Sequence, residues 1–253
     1  MPVIAVFNQK GGVGKTTTTL NVGAALLKRS LPALLIDGDP QSSLTVAMGL
    51  RSVAPSASLY AFFKNGTPLS GLIRPQPSGL SLVPSSLDLS KIETLHGGDA
   101  TITRRLKQGV DELAPTHGTV LIDCCPMLGV LTLNALIAAD HVLLPVSADF
   151  LSMEGATKLQ TALDVLEKRL SKRFVRRVVV TRFDGRRRLS YDIYQQLQTH
   201  FGPALCGTVI TESVSLAESP FHGKDIFSYA PSSQGAADYG ALTEELAAGK
   251  FFD

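Results

Sequence analysis

An α/β fold, with a mostly parallel sheet covered by helices on both faces, follows from three observations. Short apolar, β-branched runs recur along the chain. Segments with helical apolar spacing lie between them. No internal repeat appears, and no linker is long enough to separate domains. A strand buried on both faces reads as a continuous apolar run, and strands alternating with helices imply parallel crossovers. At 253 residues the chain is long for one domain but within the range of a single α/β domain, so one domain over 1–253 is expected.

The elements follow in order. "PVIAVF" (2–7) is the first strand, and 16–29 is a helix with Leu20, Ala24 and Leu27 on one face. "ALLID" (33–37), "TVLID" (119–123), "HVLLPV" (141–146), "RVVVT" (177–181) and "CGTVI" (206–210) repeat the buried-strand pattern. Helices are expected near 86–113, 130–139, 151–171, 190–200 and 234–248, and the Gly/Pro/Ser-rich pieces 52–58 and 74–86 as loops.

Composition excludes several classes. No apolar run approaches the roughly 18–20 residues that span a bilayer. "MPVIAVFNQ" carries no basic leader or cleavage site, which points to the cytoplasm. The three cysteines, Cys124, Cys125 and Cys206, are odd in number and lack C-x-x-C spacing, which argues against a disulfide framework or a cysteine metal site. Net charge is only +2, yet eleven of the 24 Lys/Arg and three of the 22 Asp/Glu fall within 158–188. Such segregation is the footprint of an anion-binding face.

"FNQKGGVGKTTTTLN" (7–21) nearly matches the phosphate-binding pattern G-x-x-x-x-G-K-[ST], but Gln9 stands where its first glycine belongs, followed by a second lysine, Lys10. A glycine-rich turn between a buried strand and a helix lets backbone N–H groups converge on phosphate oxygens, and the helix dipole adds to this. Lys15 supplies charge for the β- and γ-phosphates, and the Thr16 hydroxyl suits Mg²⁺. "LLIDGDPQSS" (34–43) ends a strand in Asp37 and Asp39, and "VLIDCCP" (120–126) ends another in Asp123. These carboxylates fall at the carboxyl edge of the sheet, where open α/β sheets bind ligands.

K-G-G-V-G-K-T-T, "DGDPQSS", "LIDCCPMLGVLTLNALIAADHVLLPV" and "SLAESPFHGKDIFSYAPSSQGAADYGAL" occur in this order over nearly the whole chain. In them the sequence resembles the ParA family of deviant Walker-A P-loop ATPases, which also includes MinD-like proteins. With no helix-turn-helix segment ahead of the first strand, it resembles the short, single-domain type.

The resemblance implies slow, partner-stimulated ATP hydrolysis with Mg²⁺ in an ATP-sandwich homodimer. Lys10 would cross the dimer interface to the partner's phosphates, as an arginine finger does. Gly11, Gly12, Val13, Gly14 and Lys15 would bind phosphates, Thr16 the metal, and Thr17 would lie near the α-phosphate. Asp39 would position the attacking water, with Lys10 and Lys15 the other catalytic groups. Asp37 and Asp123 would serve the metal sphere. Glu154 would contact nucleotide across the dimer, and the adenine would lie near Thr181 to Asp184.

Family members bind DNA without sequence preference and move a plasmid, chromosome region or protein assembly over the nucleoid, through a ParB-like or other cargo adaptor. Here "ITESVSLAES" has Glu212 and Ser215 where many relatives carry arginines. The expected DNA face is therefore Lys172, Arg173, Arg176, Arg177, Arg182, Arg186, Arg187 and Arg188, contacting phosphates. "DCCPMLG" replaces the usual D-x-P-P-S-L-G and puts Cys125 and Met127 beside Asp123. A MinD-like membrane switch needs a basic amphipathic C-terminal helix, and "ALTEELAAGKFFD" has too few cations. An iron-protein reductase needs cluster cysteines that Cys124-Cys125 does not resemble. A metabolic ATP-dependent enzyme on the same fold is the remaining alternative.

Overall fold

The computed structural model describes residues 1–96 and 102–252. Its strands are β1 (Val3–Val6), β2 (Ala33–Gly38), β3 (Arg74–Pro75), β4 (Ser81–Val83), β5 (Thr119–Cys124), β6 (His141–Ser147), β7 (Val175–Phe183) and β8 (Leu205–Thr211). They form one sheet in the order β3-β4-β2-β5-β1-β6-β7-β8, parallel except at the β3–β4 pair.

Among the described residues, six α-helices precede β5: α1 (Lys15–Lys28), α2 (Ser43–Ala47), α3 (Leu59–Asn65), α4 (Leu69–Leu72), α5 (Ser90–His96) and α6 (Arg105–Asp111). After it come α7 (Val130–Ala138), α8 (Phe150–Leu170), α9 (Arg188–Phe201), α10 (Val214–Glu218), α11 (Ile226–Tyr229) and α12 (Gln234–Ala248).

The continuous apolar runs have the expected cause. Alternate residues of each central strand enter opposite cores: Val3 and Ala5, Leu34 and Ile36, Val142 and Leu144 on one face, Ile4 and Val6, Leu35, Leu143 on the other. Residues of α3, α6, α7, α8 and α9 cover the first face, those of α1, α2 and α12 the second. Burial on both sides leaves no position where a polar residue reaches water.

Two expectations need correction. The segment 74–86 is not all loop, because β3 and β4 extend the sheet edge there. At two and three residues these strands are too short for a periodic signal. The helix expected over 86–113 is broken: α5 and α6 are separate and flanked by 3₁₀ turns at Leu87–Leu89 and Ile102–Arg104, while 97–101 lies outside the described residues. The short helices α2, α3, α4, α10 and α11 carried no sequence signal strong enough to read.

Connectivity positions the site. β1 lies between β5 and β6, so the chain crosses to opposite sides of it. The crevice at that switch point opens at the carboxyl ends of the strands, where the loop after β1 emerges.

Candidate active site

The loop after β1 enters α1 through Gly14 at φ 85°, with Gly12 at φ 75°. Both occupy the left-handed region, which glycine enters at no steric cost. The loop frames a cavity of about 420 Å³ lined by Gly11, Gly12, Lys15, Thr16, Thr17 and Asp39, among others. Lys15 is buried, and its Nζ donates to the Lys10 carbonyl at 3.1 Å. Burial lowers its pKa, opposed by the nearby charges of Asp123 and Asp39.

Asp37 and Asp123 lie side by side in the β2–β5 register, and both are buried. The Thr16 hydroxyl donates to Asp123 Oδ2 at 2.7 Å, while the buried Asp123 Oδ1 has no hydrogen-bond partner. An unsatisfied buried carboxylate oxygen beside a threonine hydroxyl is a hard-oxygen donor set suited to Mg²⁺. Asp37 is held differently from Asp123. Its Oδ2 accepts from the Thr45 amide at 2.8 Å and hydroxyl at 2.6 Å, and its Oδ1 from the Asp39 amide at 3.1 Å. These bonds make Asp37 the anchor of the Asp39 loop and α2, and it lacks the open oxygen that Asp123 keeps. Asp39 itself is half-buried on the cavity wall, with Oδ1 accepting from the Gln41 amide at 2.9 Å.

Burial pushes Asp37 up to about 6. It also raises Asp123 well above the usual carboxylate range, with the Asp37 charge adding to it. Unfolded, each acid titrates near 3.8. The folded chain therefore holds more protons from about pH 4 to 6 through Asp37 and further up through Asp123, and stability falls as pH rises over that range. The melting midpoint of nucleotide-free, metal-free protein is expected to be lower by ~3–6 °C at about pH 7.5 than at about pH 5.5. Asp123→Asn should shrink that difference. A midpoint that climbs with pH in wild type would show the two acids to be ionised without cost.

Lys10 is half-buried, and its Nζ meets Asp149 Oδ1 at 2.6 Å. Asp149 follows the end of β6 and escaped the sequence reading, although it is a strand-end acid like Asp37 and Asp123. Large apolar side chains surround this edge: Met127 and Leu128 after β5, and Phe150 and Leu151 beside Asp149, are 45–69% exposed. Glu154 is exposed one turn further along α8.

A second cavity, of about 310 Å³, shares Gly12, Gly14 and Thr17 with the first and extends to Thr181, Arg182 and Glu212. The Thr181 hydroxyl donates to the Val13 carbonyl at 2.8 Å, tying β7 to the phosphate loop.

The expected DNA-facing cations separate into two groups. Arg173, Arg186, Arg187 and Arg188 are exposed. Arg186 and Arg187 both reach Asp184, whose pKa the Arg186 hydrogen bond pulls down to about 2. Lys172, Arg176 and Arg177 are half-buried and turn inward, whereas Arg182 stays exposed. Lys172 caps the carbonyls of Ile137 and Ala139 at the end of α7. Arg176 pairs with Asp164 and Glu167, and Arg177 with Glu245 and the Pro203 carbonyl. Arg182 pairs with Glu212 at the second cavity. Local charge counting included Asp164, Glu167 and Asp184 but not Glu212 and Glu245, which the fold brings against Arg182 and Arg177 from 30 and 68 residues away.

Fold and site together define a P-loop ATPase built on a parallel α/β sheet. An AAA domain is matched over residues 1–175. The chain is similar to the chromosome-partitioning ATPase Soj of Thermus thermophilus, 39% identical over 97% of this chain and 95% of that one. It is also similar to the chromosome partitioning protein ParA of Caulobacter vibrioides, 34% identical over 96% and 93% of the two chains. In structure it resembles cobyrinic acid a,c-diamide synthase of Mycobacterium smegmatis bound to an ATP analogue and magnesium, with a TM-score of 0.85, 27% identity, and 98% and 94% coverage. The chain belongs to the ParA family of partitioning ATPases.

Proposed function

We propose that this chain is a single-domain, ATP-gated positioning ATPase. It dimerises around bound ATP, holds DNA through phosphate contacts, and releases it when a cargo adaptor stimulates hydrolysis. The observation that carries this reading is the placement of Lys10. Its ammonium is paired with the half-buried Asp149, next to the solvent-facing Phe150 and Leu151. An apolar rim around a charged mouth suits a second protomer. In the dimer Lys10 exchanges Asp149 for the partner's phosphates, and Glu154 faces the same junction.

Within one protomer, Gly11–Gly14 and Lys15 hold the triphosphate. Thr16 and Asp123 would hold Mg²⁺, and the ion would supply positive charge to offset that of the phosphates. Asp37 fixes the loop that carries Asp39, and Asp39 accepts a proton from and aligns the attacking water. The exposed Arg173, Arg186, Arg187 and Arg188 form the DNA face. Lys172, Arg176 and Arg177 are withdrawn from it, since their charge is spent inside the fold. The chain would work in the cytoplasm on the nucleoid; among the described residues no helix is long and apolar enough to cross a membrane.

Asp39→Ala tests the cycle. Asp39 contacts neither Lys15 nor Thr16 by hydrogen bond in this structure, so its removal should spare ATP binding and slow hydrolysis by ~10²-fold. The variant should accumulate as an ATP-bound dimer in analytical ultracentrifugation. A monomer under ATP, or turnover at the wild-type rate, would assign the water to another group. A metabolic enzyme on this fold would instead show turnover dependent on a small substrate and indifferent to DNA.

A further inference from the structure

Glu93, on α5, is a carboxylate for which the cycle above has no use. It is half-buried, and its two oxygens accept from the first two amides of α7, Val130 at 2.8 Å and Leu131 at 3.0 Å. No carbonyl within a helix can reach the amides of its first turn, and both residues here are buried. The residue ahead of the helix often supplies the cap, but here it is Gly129, which has no side chain to give. The cap comes instead from 37 residues away. The fit is close, since a Cβ on Gly129 would collide with the Glu93 carboxyl group. A carboxylate at the positive end of a helix makes a stronger bond than a neutral cap.

What this bond holds is the loop from Cys125 to Gly129. The loop leaves β5 just after Asp123, the acid of the metal site, and its Pro126 lines the phosphate cavity. The sheet fixes its near end, where Cys124 pairs with Gly38. Thr132 holds its middle, the hydroxyl donating to the Met127 carbonyl at 2.6 Å. Thr132 is itself on α7, so the middle and the far end both depend on where the head of that helix stands.

We propose that Glu93 is a positioning residue for the metal site. By clamping the head of α7 it fixes the loop so that Asp123 keeps Oδ1 open and Pro126 walls the phosphate cavity. Glu93 acts through the loop and touches neither metal nor nucleotide. The proposal rests on the assignment of Mg²⁺ to Thr16 and Asp123 made above. Groups that orient a metal ligand from outside the coordination sphere change metal affinity by roughly 10- to 100-fold when they are lost.

Calorimetry of ADP binding with Mg²⁺ and with EDTA, beside thermal melting, tests this. Wild type should bind ADP more tightly with Mg²⁺. Glu93→Ala should cut that gain ~10-fold and leave metal-free ADP affinity within about twofold. Glu93→Gln keeps the shape but offers one oxygen to two amides, so it should fall between, and it carries the same test should Glu93→Ala not fold. Ser233→Ala is the control: it removes the hydroxyl that accepts from the Ala236 amide at the head of α12, and Ser233 lines neither cavity. It should lower the melting midpoint and leave the Mg²⁺ gain unchanged. A gain kept in full by both Glu93 variants, or lost equally in Ser233→Ala, would make Glu93 a helix cap and nothing more. Equal losses with and without Mg²⁺ would place its effect on the nucleotide; each of these results overturns the proposal. Wild type with no Mg²⁺ gain would overturn the metal site itself and the proposal with it, a failure distinct from the others.

Discussion

Lys15→Ala is expected to remove nucleotide binding, with ATP and ADP affinities falling at least ~100-fold. Lys15 is buried at the head of α1 and is the ammonium that lines the phosphate cavity. Its loss leaves phosphate charge facing Asp39 and Asp123 with no lysine between. Lys15→Gln preserves most of the side-chain volume and should lose affinity equally, which separates charge from packing. Lys10→Ala should behave otherwise. In the free protomer its Nζ is engaged with Asp149, so ADP affinity should stay within about threefold while ATP-dependent dimerisation and stimulated turnover disappear. Titrating both variants with a fluorescent ADP analogue, and weighing them with ATP by light scattering, separates the two lysines. Equal loss of ADP affinity in both would place Lys10 in its own subunit's site.

Replacing Arg186, Arg187 and Arg188 together with Glu should abolish DNA retention and spare dimerisation. The three sit between the end of β7 and the first residue of α9, and the Arg186 and Arg187 side chains are 90% and 75% exposed. Asp184 offsets part of their charge but leaves a net cationic corner, which a phosphate backbone can claim by displacing its counterions. Wild type should show DNA affinity that falls with salt at a log–log slope of about −0.9 per phosphate neutralised. The triple variant should lose ~10²-fold or more at low salt, with the slope shallower by roughly 3 to 5 as one or both protomers' arginines drop out. The measurement is a salt titration of duplex binding with a non-hydrolysable ATP analogue. Wild type with no affinity at low salt would end the DNA-based mechanism, and an unaltered slope in the variant would move the face elsewhere. Paired inside the fold, Arg176 and Arg177 should affect stability when replaced and leave the salt slope alone.

The sequence by itself determined the six longer strands, their parallel sense and the glycine-rich loop between β1 and α1. Those features are local: strands buried on both faces cannot hide their apolar runs, and a glycine-rich loop followed by Lys15 and Thr16 works through consecutive backbone groups. The strand-end rule also found Asp37, Asp39 and Asp123, because the direction of a parallel strand dictates which end meets the crevice. Their division of labour was decided only in three dimensions. Thr45, which occupies Asp37, comes from the helix packed beneath the loop, and whether an oxygen stays unsatisfied depends on every neighbour at once.

The same holds for the cations. A run of arginines is visible in one dimension, but Glu245 lies 68 residues from Arg177 and Glu212 lies 30 from Arg182. Lys10 and Asp149 are 139 residues apart. Charge acts through space, and in this chain the tertiary structure decides which cations are already spoken for and which still face the solvent.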